Sequence, residues 1–437
     1  MRDLSLRTRA LGGIALAATS ALVLAGCTSG STDSNADASA YVAANCAADA
    51  TSDNTFKVGT LLPTTGNLAF LGPPEIAGVG LAVADINAAG GVNGTDACIY
   101  NTDSGDSSDM SVSTASAEDL IAQKVSFVLG AASSSVSLNV VDAITEAGIV
   151  QISPANTAAT LSGYSPFYFR VAPPDTVQGD ALGQLITGDG NASVAFLVFN
   201  DSYGTGLRDS TEAAIVEAGG EVVYGAAGAG QEFPPSQTTF SSEVTAALAE
   251  KPDALVVIAF DETKAIIPEL VAQGWDMKNT YFVDGNTSSF EKDFEAGTLE
   301  GAQGTIPGAE PSDELKALLG KYWSDVEGEE LTDFIYGAES YDATVLAALA
   351  ATKGGDNKPA TIQANLAAVS GANGGEKCTT FAACVDLIKA GSDIQYQGPS
   401  AVGPFNALND PSSAFVGIYK FNDVNVPLWA SAVEGKS

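Results

Sequence analysis

Residues 56–94 constrain the fold more tightly than any other stretch of this chain. A short apolar run at 56–62 leads into a Gly/Pro/Thr loop at 63–72. The loop opens a long amphipathic helix with apolar residues at Ile76, Val79, Leu81, Val83 and Ile86, stopped by Gly90 and Gly91. Strand, loop and helix in that order begin a doubly wound α/β domain. Open sheets of this kind bind ligands beyond the carboxyl ends of their strands, so the loop is a candidate binding element.

The alternation continues. Strand-like runs recur at 97–101, 126–129, 148–152, 193–199, 254–260 and 279–283. Helical periodicity fills 111–123, 136–147, 205–218, 240–250, 263–273 and 332–352. Strands separated by helices of that length imply parallel sheets. Pro173 and Pro174 break any regular element between two such series, and a second break falls at 304–311. A third crossing is expected at 398–406. A chain of 437 residues suits two lobes. The expectation is α/β, two doubly wound parallel-sheet lobes joined by three hinge crossings. The first lobe takes 55–174 and 304–402, the second 175–303 and 403–437.

The N-terminus supplies an address. Arg2, Arg7 and Arg9 precede an apolar run at 11–24 that is too short for a comfortable bilayer span. The run ends in Leu24-Ala25-Gly26-Cys27. A basic head, an apolar middle and small residues before the cut make a secretory signal at 1–26. The cysteine after them resembles the bacterial lipobox. That resemblance implies lipidation of Cys27 and an extracytoplasmic protein anchored to the outer face of the cell membrane by more than one acyl chain. Residues 27–54, poor in large apolar side chains, read as a flexible tether. No later stretch is expected to span a bilayer.

Charge and residue usage exclude several classes. With 53 acids against 19 bases, formal charge is −34, which repels nucleic acid. There is no histidine, which removes the commonest general base and metal ligand. Asp103, Asp106 and Asp109 miss the EF-hand spacing and read as turn and cap acids. Residues 225–230 are glycine-rich but lack a dinucleotide fingerprint. No catalytic set, metal or cofactor is expected. Beyond Cys27 stand Cys46, Cys98, Cys378 and Cys384, an even number that favours disulfides in an exported chain. Three pairings are open. Cys378 and Cys384 can close a small local loop, and Cys46 would then staple the N-terminal arm to Cys98.

Several loops at strand ends carry polar groups suited to a small ligand. Gly130-Ala131-Ala132-Ser133-Ser134-Ser135 precedes a helix, where capping serines and free N–H groups favour an anion. Ile152-Ser153-Pro154-Ala155-Asn156-Thr157 follows the next strand. Asn200-Asp201-Ser202-Tyr203-Gly204 ends a strand of the second series, and Asp201 or Ser202 there can cap a helix. Phe260-Asp261 and Asp284-Gly285 end two others. Each has a plainer use: capping for the serines, a core ring for Tyr203 or Phe260, a solvated Asp-Gly turn for Asp284.

These loops together resemble the periplasmic binding proteins of the Leu/Ile/Val-binding type, over roughly residues 57–422. The segment from Tyr396 to Pro411 is similar to that family's terminal pattern, with Ala401-Val402 inserted before Gly403. The resemblance implies a non-enzymatic solute-binding lipoprotein of an ABC importer, working as a monomer with a membrane permease. It implies a small zwitterion, a branched-chain or other amino acid, held between the lobes. Ser133, Ser134 and Thr157 would take the carboxylate, and the backbone at Ala155 would complete the carboxylate or amino contacts. Asp284 would take the ammonium, one methylene shorter than the usual Glu. Phe70, Leu71, Tyr203 and Phe260 would wall the side chain. The alternatives are an amide, urea or aromatic-acid binder of the same fold, or a ligand-sensing partner of a membrane receptor. An extracellular hydrolase is disfavoured by the missing histidine.

Overall fold

The computed structural model describes residues 40–412 and 414–435, so the signal peptide and Cys27 lie outside the described residues. The chain runs β1 (Lys57–Leu62), α1 (Gly72–Ala88), β2 (Cys98–Asp103), α2 (Met110–Ala122), β3 (Phe127–Gly130), α3 (Ser134–Glu146), β4 (Gln151–Ser153) and β5 (Tyr168–Arg170). It continues α4 (Asp175–Gly188), β6 (Ser193–Val198), α5 (Ser202–Glu217), β7 (Glu221–Tyr224), α6 (Ser241–Ala249), β8 (Ala254–Ile258), α7 (Thr263–Ala272), β9 (Thr280–Phe282) and β10 (Gln303–Pro307). Then come α8 (Asp313–Glu327), α9 (Gly337–Gly354), α10 (Pro359–Ser370), β11 (Glu376–Cys378), α11 (Phe381–Lys389), β12 (Ile394–Tyr396), β13 (Ala414–Phe421) and β14 (Pro427–Gly435).

Two large sheets result. The first has the order β2-β1-β3-β4-β5, all parallel. The second has the order β14-β13-β10-β9-β8-β6-β7, parallel from β10 to β7 and antiparallel beyond. Burial on both faces explains the continuous apolar strands: every residue of β1 and β8 is buried. Helices α8 to α11 return to the first sheet, and residues from Leu315 to Phe405 join its core. Gly78 and Gly80 let α1 approach its neighbours. A Cβ at Gly80 would lie 2.0 Å from the Tyr322 ring, and one at Gly78 2.2 Å from the Gly337 carbonyl oxygen. Residues 69–88 are, against expectation, apolar and long enough to cross a bilayer, but most of that helix is buried in the first core.

Several boundaries differ from the sequence-based ones. The break expected at 304 falls inside β10, whose backbone pairs with β9 and β13, so the chain leaves the second sheet only after Pro307. The start of the last segment at 403 is too early. Phe405 packs edge-on against Phe169 at 5.2 Å in the first core, and Asp410 pairs with the buried Arg170 at 2.6 Å. β14 was not anticipated. Its mostly exposed residues make an edge strand with no buried face to mark it.

The described part of the expected tether, residues 40–54, is not free. Cys46 is bonded to Cys98, Asn45 bridges to Ile99, and Tyr41 lies 5.5 Å from the Tyr322 ring. Cys378 is bonded to Cys384. The two bridges span 52 and 6 residues, and cross-linking removes more unfolded-state freedom from the longer loop. Replacing Cys46 and Cys98 together by serine should cost roughly 2–4 kcal/mol in urea unfolding, and the Cys378/Cys384 pair less. Equal losses would contradict this ordering.

Candidate functional site

Each sheet reverses its winding beside its first strand. β1 lies between β2 and β3, and β6 lies between β7 and β8. Loops leaving β1 and β3, or β6 and β8, part in opposite directions and leave a crevice at the strand tips. One cavity is lined from both crevices. Its walls are Leu68, Leu71, Ala132, Ser133, Ser134, Ala155, Thr157, Tyr203, Phe260, Asp284, Gly285 and Tyr336. It is tight. All space between the lining atoms comes to about 290 Å³, and about 20 Å³ is open to the centre of a water-sized sphere. That is room for one or two waters in this closed arrangement.

Eight of the nine sequence-predicted residues meet there: Leu71, Ser133, Ser134, Ala155, Thr157, Tyr203, Phe260 and Asp284. Phe70 does not. It lines a neighbouring groove with Pro73, Pro74 and Trp323. Residues 69–71 form a single 3-10 turn, and Leu68 fills the place at the cavity wall instead.

One end of the cavity is built from donors. Ser133 caps α3, its Oγ accepting from the Val136 N–H at 3.3 Å. No acid stands in the first turn of α3, so its positive end is uncompensated by side chains. Ser134 Oγ accepts from the N–H groups of Thr157 and Ala158, both at 3.2 Å, and keeps its own proton to donate. The Ala155 N–H is already used, donating to Ser153 Oγ at 3.2 Å. Of the Ala155 backbone, the carbonyl is thus the group left for a ligand. Arg170 braces this loop. Its Nη1 donates to the carbonyl of Ala158 at 2.9 Å while its Nε holds Asp410.

The other end is acidic and dry. Asp284 is 5% exposed, so the solvated-turn reading fails. Its Oδ1 accepts from the Tyr203 hydroxyl at 2.7 Å and Gln178 Nε2 at 2.9 Å, and its Oδ2 accepts from the Tyr336 hydroxyl at 2.7 Å. Burial pushes its pKa up, and the two tyrosine hydroxyls and Gln178 oppose that. Asp175 is fully buried and neither carboxylate oxygen has a partner. Burial, then the nearby Asp284, holds its pKa well above the usual range. Thr157 Oγ1 and Gln178 Oε1 are also buried without partners. Tyr203 stacks on Phe260 at 5.4 Å, closing the apolar side.

Asp175, Gln178 and Tyr336 were missed from sequence. Asp175 follows Pro173-Pro174 and reads as a boundary. Gln178 is one polar residue inside a helix. Tyr336 sits between two helices with no strand end to flag it. Asp201 does cap α5, accepting from the Gly204 N–H at 2.7 Å. Asp103, Asp106 and Asp109 accept from Thr64, Asn67 and Ser111 N–H groups, as turn and cap acids do.

Two polar bridges join the rims of the crevices. Ser135 Oγ meets Asp201 Oδ2 at 3.0 Å and Ser202 Oγ at 2.8 Å. Asn67 Nδ2 donates to Glu262 Oε1 at 2.5 Å. Neither pair lines the cavity; both hold it shut.

The sequence profile of the periplasmic binding protein family matches residues 55–384. A leucine-, isoleucine-, valine-, threonine- and alanine-binding protein of Pseudomonas aeruginosa is 30% identical over 171 residues, 38% of this chain and 44% of that protein. The match thus spans less than half of that relative. A branched-chain amino acid transporter substrate binding protein from Streptococcus pneumoniae, solved in complex with isoleucine, superposes with a TM-score of 0.70 at 24% identity. That likeness covers 88% of this chain and 100% of the other. An ABC transporter solute binding protein from R. palustris, solved in complex with 4-hydroxybenzoate, superposes at 0.69 and 17% identity, covering 88% and 98%. At these identities the two structures speak for the fold.

The buried acids make stability depend on pH. Asp175 and Asp284 are raised, and burial lifts Asp201 to about 6. A raised acid binds protons more tightly folded than unfolded, so its stabilising contribution is present below about pH 4 and lost as pH rises through its folded pKa. The melting temperature of the ligand-free protein should fall between about pH 5 and pH 7.5, and Asp201→Asn, which still caps α5, should flatten the part near pH 6. A melting temperature that climbs over this range would contradict the assignment.

Proposed function

We propose that this chain, which belongs to the periplasmic binding protein family, is the amino-acid-binding lipoprotein of an ABC importer. The family is one of extracytoplasmic binding proteins, and the relatives above are binding proteins rather than enzymes. Cys27 carries the lipid that keeps the protein at the outer face of the membrane. The protein works as a monomer and hands its ligand to a permease.

The carrying observation is the polarity of the cavity. Ser133, Ser134 and the start of α3 offer donors at one end. Asp284 stands at the other with the buried Asp175 near it, and neither forms an ion pair among the described residues. An unpaired buried carboxylate costs several kcal/mol, which an ammonium group placed there offsets. A zwitterion brings one charge for each end. Contacts from both crevices can be made together only when the rims are shut, so the ligand selects this closed arrangement. Hinge closure of that kind is a described motion of periplasmic binding proteins.

An aromatic acid is the second reading. The stacked Tyr203–Phe260 pair would suit its ring, and the R. palustris neighbour was solved with 4-hydroxybenzoate. Such a ligand leaves the acidic end unmatched, which favours the amino acid.

A thermal-shift panel separates the two. L-alanine, L-valine, L-leucine and L-isoleucine are set against 4-hydroxybenzoate, acetamide and urea. A true ligand at a hundred times its Kd should add about 2.7 kcal/mol of stability. An amino acid should stabilise the protein, and Asp284→Ala should remove the effect. Stabilisation by 4-hydroxybenzoate, acetamide or urea alone would overturn the proposal.

A further inference from the structure

A second and roomier cavity shares one residue, Tyr336, with the first. By the same measure that leaves about 20 Å³ in the first cavity, it holds about 200 Å³. Its walls come from both halves of the fold. The turn that leaves β10 supplies one side, the strap between α8 and α9 a second, and the β13–β14 hairpin a third. The first two are segments by which the chain passes between, or packs across, the two cores. In the strap, Phe334 packs on the first core, and Ile335 and Tyr336 join the second.

The chemistry of this cavity is unlike a solvent channel. Phe334, Tyr419 and Trp429 give it aromatic walls. Leu428 and Trp429 at its rim are 52% and 36% exposed, large apolar side chains left with nothing over them. Glu339, on the first turn of α9, lines it while being 96% buried. A Cβ at Gly308 on the opposite wall would lie 2.5 Å from Glu339 Oε1. The hydrogen bond that steadies the Glu339 carboxylate comes from its own amide, and it forms no ion pair among the described residues. Behind it stands Glu75, fully buried with both oxygens unpartnered. Asp333 faces the same space. The one basic lining residue, Lys316, is engaged by Glu310, which also accepts from the Tyr419 hydroxyl at 2.9 Å. The cavity therefore has an apolar, aromatic body and an acidic floor, and its one basic lining residue is paired with Glu310 instead.

We propose that this cavity is a second binding site, for a small organic cation with an apolar body such as an aryl-alkyl amine. The ammonium sits at Glu339 and the ring lies between Phe334, Tyr419 and Trp429. A cation over aromatic faces gains from their quadrupoles, and a buried carboxylate gains its missing partner. Burial pushes Glu339 up to about 8, so at neutral pH the free site is largely protonated and the bound amine draws it back to the charged form. The occupant touches both halves as they stand in the closed arrangement. It therefore favours closure and tightens binding in the first cavity, and by reciprocity the ligand there tightens the amine.

Benzylamine is the probe, with benzyl alcohol and benzoate as controls, read by thermal shift and by tryptophan fluorescence of the whole mature protein. Saturable binding of benzylamine, and not of the two controls, is expected. Glu339→Gln should weaken it by about tenfold or more, as truncating one partner of a buried charge pair does. Trp429→Ala, at the exposed rim where folding is not at risk, should weaken it independently. Ser134→Ala, in the wall of the first cavity only, should leave it in place, which separates this site from the first cavity and from the identity of its ligand. The proposal is overturned by an absence of saturable binding, by binding that survives both Glu339→Gln and Trp429→Ala, or by binding that Ser134→Ala abolishes.

Discussion

Asp284 faces a dry space between the tips of the two sheets, the buried Asp175 stands near it, and neither forms an ion pair among the described residues. Asp284 is held by hydroxyls and an amide, which steady the charge without neutralising it. Asp175 is less well held: burial and Asp284 raise its pKa, and only the Thr157 side chain and the charge of Arg170 oppose them. A closed protein with this interior is incomplete in an electrostatic sense, since each uncompensated buried charge costs several kcal/mol. Protonation is one way out and a bound ammonium is the other. The second couples occupancy to the shape of the molecule, because the cation is reached only from a cavity whose walls come from both sheets.

The fold supplies this arrangement cheaply. A doubly wound sheet opens a crevice where its winding reverses, at the carboxyl ends of its strands. Two such sheets with facing crevices bring loops from six strand ends together. Helix starts cluster there as well: Ser133 caps α3 in the cavity wall and Asp201 caps α5 at the rim, so polar groups arise there from ordinary capping chemistry. Arg170 shows how the supporting structure is tied to the site. Paired with Asp410 near the third crossing, it also fixes the loop that carries Thr157. The rim bridges Ser135–Asp201 and Asn67–Glu262 add polar contacts that exist only while the halves are shut.

Much of this was legible in the residues, for a physical reason. A loop at a strand end is short, polar and bracketed by apolar runs, so Ser133, Ser134, Thr157, Tyr203 and Asp284 stand out against their surroundings. What lay on helices or between them did not. Gln178 is one polar position among many in α4, and Tyr336 is in a strap joining two helices. Asp175 was hidden by the two prolines before it. Phe70 and Leu68 changed places because a 3-10 turn rotates successive side chains differently from an extended loop. β14, exposed on most of its length, has no buried face and thus no alternation to read. Lobe boundaries drifted by a few residues for a related cause: Gly304 and Gly403 look like breaks, yet strand pairing at β10 and the packing of Phe405 carry each segment further.

The measurement that bears most directly on the acid pair is proton exchange on binding. Calorimetric titration of the stabilising amino acid at neutral pH, in two buffers of different ionisation enthalpy, counts the protons released. Burial raises the pKa of both Asp284 and the neighbouring Asp175, and an ammonium bound at Asp284 lowers both, so ligand binding should release protons. Binding with no net proton exchange, or with uptake, would contradict the account.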